Sequence, residues 1–233
     1  ARRLHAWVLE NVEQSGELFD QAATMLHSRT GNRARVLQYL LALAQVPSHY
    51  VLVRSAGADH TASEAADYRV YDQLLVRLDA DGTLLSTDSR WAPFGYLPPV
   101  LRGEPGYVLG PSPTLVTTLR AAPGSDSRSR EAVLRVAADG SAEMNVSETF
   151  RGASAVQWRS DLEGIPAANL HQRFEEGYVA GIVPGASLEE VAIEAAREPE
   201  APLQIRYRLR APGVARPGDN RGVGAVRGLF ALD

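Results

Sequence analysis

TGNRARVLQYLLALAQVPSHYVLV, residues 30–53, holds a helix, a turn and a strand in immediate succession. Val36, Leu37, Leu40, Leu41 and Ala44 recur at helical spacing, Thr30 and Gly31 stand where a helix begins, and Pro47 follows its end. His49 to Val53 then reads as a strand. A helix entered through a glycine and followed at once by a strand is a supersecondary unit with one apolar face to bury.

Upstream, Leu4, Val8 and Val12 form one helical stripe with Trp7 beside it, and Leu18, Phe19, Ala22, Ala23 and Leu26 form the next. Downstream, Val70 to Leu78 reads as a strand, Asp79-Ala80-Asp81-Gly82 as a turn, and residues 83–87 as a further strand. Three helices thus have a sheet of strands at 49–54, 70–78 and 83–87 to pack on. Trp91, Phe94 and Tyr96 follow in a loop that closes at Pro98-Pro99.

This order of elements, with the turn Ala44-Gln45-Val46-Pro47, resembles the transglutaminase-like superfamily and its papain-like core. The family's pattern is a Gly-x-Cys ahead of the apolar helix, a "GIPA"-type turn, a histidine on the second strand and an aspartate ending the third. Aligned on it over about residues 1–110, Arg33 takes the cysteine position, Gln73 the histidine position, and Asp88 the position of the acid. The chain contains no cysteine at all. Acyl transfer by that route requires a thiolate, an imidazole to move its proton, and a carboxylate to hold the ring. Arginine stays protonated and offers no lone pair, and glutamine moves no proton. The resemblance therefore implies a catalytically degenerate domain, in which Asp88 is expected to form a bidentate ion pair with Arg33. Arg33, Gln73, Asp88, Trp91 and Phe94 are the candidate binding residues in what was the cleft. Packing over the end of the sheet is the plainer reading of the two aromatics.

Ser28, Thr30, Ser86 and Ser89 lie near the same place, but a hydroxyl nucleophile needs an adjacent base. None of the five histidines, His5, His27, His49, His60 and His171, stands at the family's base position. His5, His27 and His60 read as surface or helix-end residues. Metal-ligand spacings such as His-x-x-x-His or paired cysteines do not occur, so no metal site and no cofactor are expected.

The 233 residues are 45% apolar and 22% charged, with a net charge of −4, as expected of an ordinary globular protein. The basic residues are dispersed rather than gathered on one face, which argues against nucleic acid. No apolar run reaches the ~18 residues of a transmembrane helix. Every basic residue is arginine, a composition expected of a GC-rich bacterial gene. The chain starts at Ala1 inside a helix pattern, and is expected to be part of a longer protein.

From Pro111 to Arg130 proline, glycine and serine accumulate around a short β-prone run, 114–119, which reads as a crossing segment. The expected domains are 1–120 and 121–233. Within the second, Asp126 to Glu131 reads as solvated linker, and residues 134–146 as a hairpin turning at Asp139-Gly140. Ile205, Tyr207 and Leu209 face one way while Arg206, Arg208 and Arg210 face the other, the mark of a one-sided antiparallel sheet. One helix follows Pro166 with Leu170, Phe174 and Tyr178 along its side. Ser187 and Glu190 offer a capping box ahead of strand-like alternation at Val191 and Ile193. Residues 213–228 read as loop, with a last strand at 228–232. The order of elements is similar to the accessory β domain that accompanies bacterial transglutaminase-like proteins.

The expected fold class is α+β: a degenerate transglutaminase-like, papain-like core with helices on an antiparallel sheet, then a mainly antiparallel β domain with one helix. The expected function is a non-catalytic binding or scaffolding module within a larger bacterial envelope protein of the periplasm, with a protein or peptide partner. A spacer without ligand, or a hydrolase or acyltransferase with a non-cysteine nucleophile, are the alternatives.

Overall fold

Helix α1, Arg2–Asn11, turns its Val8 and Leu9 inward, α2 spans Ala22–Ser28, and α3 spans Arg33–Leu43. The computed structural model describes residues 1–16, 20–58, 71–120, 124–216 and 223–224. Leu18, Phe19, His60 and Val70, and the expected strand at 228–232, lie outside those residues. The fold is α+β with antiparallel sheets, and the chain divides into two compact units, Ala1–Ser125 and Asp126–Asp233.

In the first unit, β3 (Ser48–Val53), β4 (Gln73–Leu78), β5 (Leu84–Leu85), β6 (Pro105–Val108) and β7 (Thr114–Thr117) form one antiparallel sheet in the order β5-β4-β3-β6-β7. The run expected to cross between domains is thus the edge strand β7. Alternation along the strands sorts residues to two faces. Val76, Leu78 and Leu85 meet Val8, Val12, Met25, Val36, Leu37 and Leu41 of the helical segments. Val51, Val53 and Leu75 meet Leu97 and Leu101 on the other side. Each fully buried leucine contributes about 1.5–3 kcal/mol, so the periodic face of α3 supplies much of this core.

A short parallel pair, β1 (Glu13–Gln14) and β2 (Thr30–Gly31), brings the exit of α1 beside the entry of α3. Gly31 is required there: its φ is +148°, and a Cβ would fall 2.5–2.8 Å from the side chain of Met25.

The second unit is one four-stranded antiparallel sheet, β10-β11-β9-β8, with helices on one face. Strand β8 spans Ser127–Val136, β9 Ala142–Arg151, β10 Ser187–Glu194 and β11 Leu203–Ala211. Met144, Val146, Phe150, Leu203, Ile205, Tyr207 and Leu209 point into the core, where Phe174 and Val179 cover them. On the opposite face Arg208 meets Glu189 and Glu190 at 2.8 and 2.7 Å, Arg206 meets Glu194, and Arg210 approaches Glu143 at 3.6 Å. These pairs are exposed and steer register more than they stabilise.

Three expectations are corrected here. Residues 126–131 are not linker: Ser127 begins a ten-residue strand paired along its whole length with β9. The unit has more than one helix, since α4, Ala153–Glu163, precedes the helical run at 167–182. That run comprises a short 3₁₀ turn, α5 (Leu170–Phe174), a π-turn over Glu175–Val179 and α6 (Ala180–Ile182). Ser187 and Glu190 do not cap a helix, because both lie within β10.

Helix α4 escapes a periodicity reading because its inward positions include Arg159, which is 1% exposed. Its guanidinium donates to the carbonyls of Ala195 (3.1 Å), Glu198 (2.9 Å) and Ala201 (2.6 Å), and so holds the loop between β10 and β11. Burial lowers its pKa, opposed by the charge of Glu198. Arg159→Met keeps the aliphatic volume and strands these carbonyls. A loss of about 2–4 kcal/mol is expected, read as a lower urea midpoint with unchanged m-value; an unchanged midpoint would refute the role.

Candidate functional site

At the start of α3, Asn32 caps the helix through its Oδ1, which accepts the Arg35 amide at 3.1 Å. The Arg33 amide, in the first turn, donates to Gln14 Oε1 at 3.0 Å. This fixes the backbone from which the Arg33 side chain departs. The side chain is buried and spans three segments: Nε donates to the Val12 carbonyl at 2.6 Å, and Nη1 to the carbonyls of Thr87 at 3.4 Å and Asp88 at 3.5 Å.

Arg33 and Asp88 are therefore brought together, but the guanidinium meets residue 88 at its main-chain oxygen. The expected bidentate pairing with the carboxylate gives way to this backbone contact. The Asp88 carboxylate instead accepts the Ser86 hydroxyl at 3.4 Å. Crowding around that carboxyl raises its pKa, the Ser86 hydroxyl and the Arg33 charge oppose the rise, and the Asp72 charge adds to it. Asp88 itself keeps an exposed surface.

Gln73 opens β4 opposite Val53 and is hydrogen-bonded to its neighbour Asp72. Asp72 also accepts the amide and hydroxyl of Ser55 at 2.9 and 2.7 Å. Burial works to raise the Asp72 pKa, but these donors outweigh it and lower the group overall. Gln73 thus sits at the start of β4 beside Asp72, whose charge repels that of Asp88.

His5 is corrected from a surface residue to one of the most buried polar groups, 2% exposed. Its Nε2 is 2.9 Å from the Ser86 carbonyl, and its ring meets the Phe94 ring edge-on at 5.7 Å between centroids. The Arg2 guanidinium lies over the same Phe94 ring at 4.5 Å. Phe94 is accordingly a packing residue, part of the helix-side core. Trp91 is half-buried under the Arg90 guanidinium at 5.2 Å. The signal for His5 is its place on the stripe of α1, three residues before Val8.

The three serines considered as nucleophiles have other engagements. Ser86 is buried and directed at Asp88, Ser28 donates to the carbonyls of Met25 and Thr30, and Ser89 accepts the Trp91 amide. His27 and His171 are exposed, and His49 pairs with Asp79 at 2.8 Å on the surface. Among the described residues, no group of three or more His, Asp or Glu is placed to hold a metal ion, and no helix is long and apolar enough to cross a membrane.

A dense charge cluster lies in the second unit, unforeseen in the sequence. Glu148, fully buried on β9, accepts the hydroxyls of Tyr178 and Tyr207, both at 2.6 Å, and pairs with Arg128 at 3.0 Å and Arg130 at 3.3 Å. Tyr178 in turn accepts from Arg128 at 2.6 Å and Arg130 at 3.2 Å. It projects from the π-turn, where the local widening sets its ring 4.9 Å from both Trp158 and Phe174. Two phenols and two guanidiniums satisfy one carboxylate, which is what burying it demands.

No protein-family model, no curated protein and no solved structure matches this chain.

Burial, with Glu148 beside it, pushes the Tyr178 phenol up to about 12, against the opposing guanidiniums; Tyr207 is raised further for the same first reason. A phenol that holds its proton longer folded than unfolded stabilises fully below the unfolded value near 10 and loses that contribution as pH rises toward the folded one. Stability of the second unit is expected to be level up to about pH 10 and to fall between about 10 and 12. Denaturant midpoints across that range should show a shallower fall in Tyr178→Phe; an identical profile would refute the assignment.

Proposed function

We propose that the first unit is a catalytically silent transglutaminase-like core that serves as a scaffold, within a larger envelope protein of a bacterium. The observation that carries this reading is the Arg33 side chain, buried and donating to the carbonyls of Val12, Thr87 and Asp88. In the alignment that motivates it, the nucleophile's place at the start of α3 is taken by a permanent cation without a lone pair. That cation joins the end of α1, the start of α3 and the segment after β5. A group so placed holds segments together and supplies no nucleophile.

Supporting the same reading, the buried imidazole of His5 is directed at the main-chain oxygen of Ser86. Phe94 packs into the core below it, so this one of the residues considered for a peptide cleft serves as packing.

Two measurements test the proposal. The purified chain should release no ammonia from glutamine peptides and incorporate no amine into them; turnover in either assay would overturn the silent reading. The ancestry is tested by R33C/Q73H, which restores the family's pair around the retained Asp88. A thiol at a helix start beside an imidazole ionises readily. Alkylation by iodoacetamide at pH 6 should be about tenfold faster in the double variant than in R33C alone. Equal rates in two folded variants would remove the transglutaminase-like alignment while leaving the scaffold role of Arg33 to its own test, a lower unfolding midpoint in Arg33→Met.

A further inference from the structure

We propose that the outer edge of β8 is a self-association surface, on which a second copy of this chain adds its own β8 antiparallel and joins two four-stranded sheets into one. The inference is independent of the silent-core reading.

Strand β8 is the last in the order β10-β11-β9-β8, and among the described residues only β9 pairs with it. Its register defines the faces. Arg130, Ala132, Leu134 and Val136 stand opposite Glu148, Val146, Met144 and Ala142 of β9, all of them buried. Ala132, Leu134 and Val136 thus extend the core-side face by one strand. They are nevertheless exposed, as is every residue from Glu131 to Val136, with Leu134 at 36%, Val136 at 50% and Val133 at 58%. The apolar face runs past its own cover.

Sheet edges that stay single are blunted by charged side chains, above all lysine, or by proline, a bulge or a short length. This edge is ten residues long, holds no proline or glycine, and pairs with β9 without a register shift; the chain has no lysine to offer. Its residues are instead complementary to themselves. Antiparallel pairing about a two-fold axis through Val133 places Glu131 of each copy opposite Arg135 of the other, and Ala132 opposite Leu134. All pairs keep to their own face, so the two exposed apolar strips become one. Sliding the register by one step to either side sets Glu131 opposite Val133 or Ala137 and leaves no opposed charges. A single register is therefore selected, and the contact is isologous and closes at two copies. The conformation is preset, because the Arg128 and Arg130 end of the same strand is fixed to Glu148.

The test uses the 233-residue chain and light scattering across a wide concentration range. The weight-average mass should rise from 25.2 kDa toward twice that value. E131R and R135E, both at exposed positions, place like charges opposite each other and should each weaken dimerisation about tenfold. E131R/R135E restores opposite charges and should recover it, an outcome that simple loss of folding does not produce. Because the chain lacks cysteine, V133C supplies an independent measure. Opposed across the axis, it should oxidise to a covalent dimer faster than S127C, which lies outside the paired stretch. A monomer at every concentration overturns the proposal and leaves the edge to another polypeptide. A dimer indifferent to E131R, a double variant that does not recover, or S127C linking as fast as V133C also overturns it.

Discussion

A guanidinium does not shed its proton inside a protein, so burying Arg33 obliges the fold to bring acceptors to it. Those acceptors are main-chain carbonyls of Val12, Thr87 and Asp88, the first 21 residues away in sequence and the others 54 and 55. Helix α1, helix α3 and the segment after β5 must therefore arrive together, or each leaves a polar group stranded in an apolar core. His5 adds a second grip on the same segment through the Ser86 carbonyl. The described acceptors are peptide oxygens, so the Arg33 charge acts on the Asp88 carboxylate through space while that carboxylate accepts the Ser86 hydroxyl.

The second unit meets the same cost of buried charge with a different set of partners. Arg159 repeats the device of Arg33, a cation answered by carbonyls, and uses it to fix the loop between β10 and β11. Glu148 reverses the sign: a carboxylate beneath two phenols and two guanidiniums. Removing one partner from such a cluster leaves a buried charge poorly answered, typically at about 3–5 kcal/mol. The network draws from β8, β9, β11 and the π-turn at once. It specifies which strand lies at the edge and how the helical run crosses the sheet.

How much of this was legible follows from the kind of signal each element carries. Helix α3 and strand β3 are plain in the sequence because helical apolar spacing stops before Pro47 and a short β-branched and aromatic run follows it. Strand β11 is equally plain, since Ile205, Tyr207 and Leu209 alternate with three arginines. Helix α4 is not, because only Ala155, Val156 and Arg159 of its eleven residues are buried and no apolar stripe results. At the candidate site, the sequence places Arg33 at the head of a helix and Asp88 after a strand, and they do lie together. What it does not carry is the choice of acceptor. A carboxylate and a peptide oxygen one residue apart compete for the same cation, and only the path of the chain around Thr87 and Asp88 selects between them. His5 was hidden for a related reason: its burial depends on a carbonyl 81 residues away.

Strand β8 shows the limit of reading burial from hydrophobicity. Its first half, Ser127 to Arg130, alternates serine with arginine and looks solvated, yet the Arg130 side chain is 3% exposed. Its second half carries Ala132, Val133, Leu134 and Val136 and looks like core, yet all four are exposed. The polarity is inverted because an edge strand has neighbours on one side only, and what covers it depends on where the helices end. Over the first half lies Tyr178, and Glu148 opposite converts two arginines into interior groups. Over the second half, the described part of the unit supplies no such cover. An apolar strip left in water by the same strand that buries Arg130 is a surface shaped for something outside the unit, and the placing of Glu131 and Arg135 on either side of Val133 fits that strip to its own image.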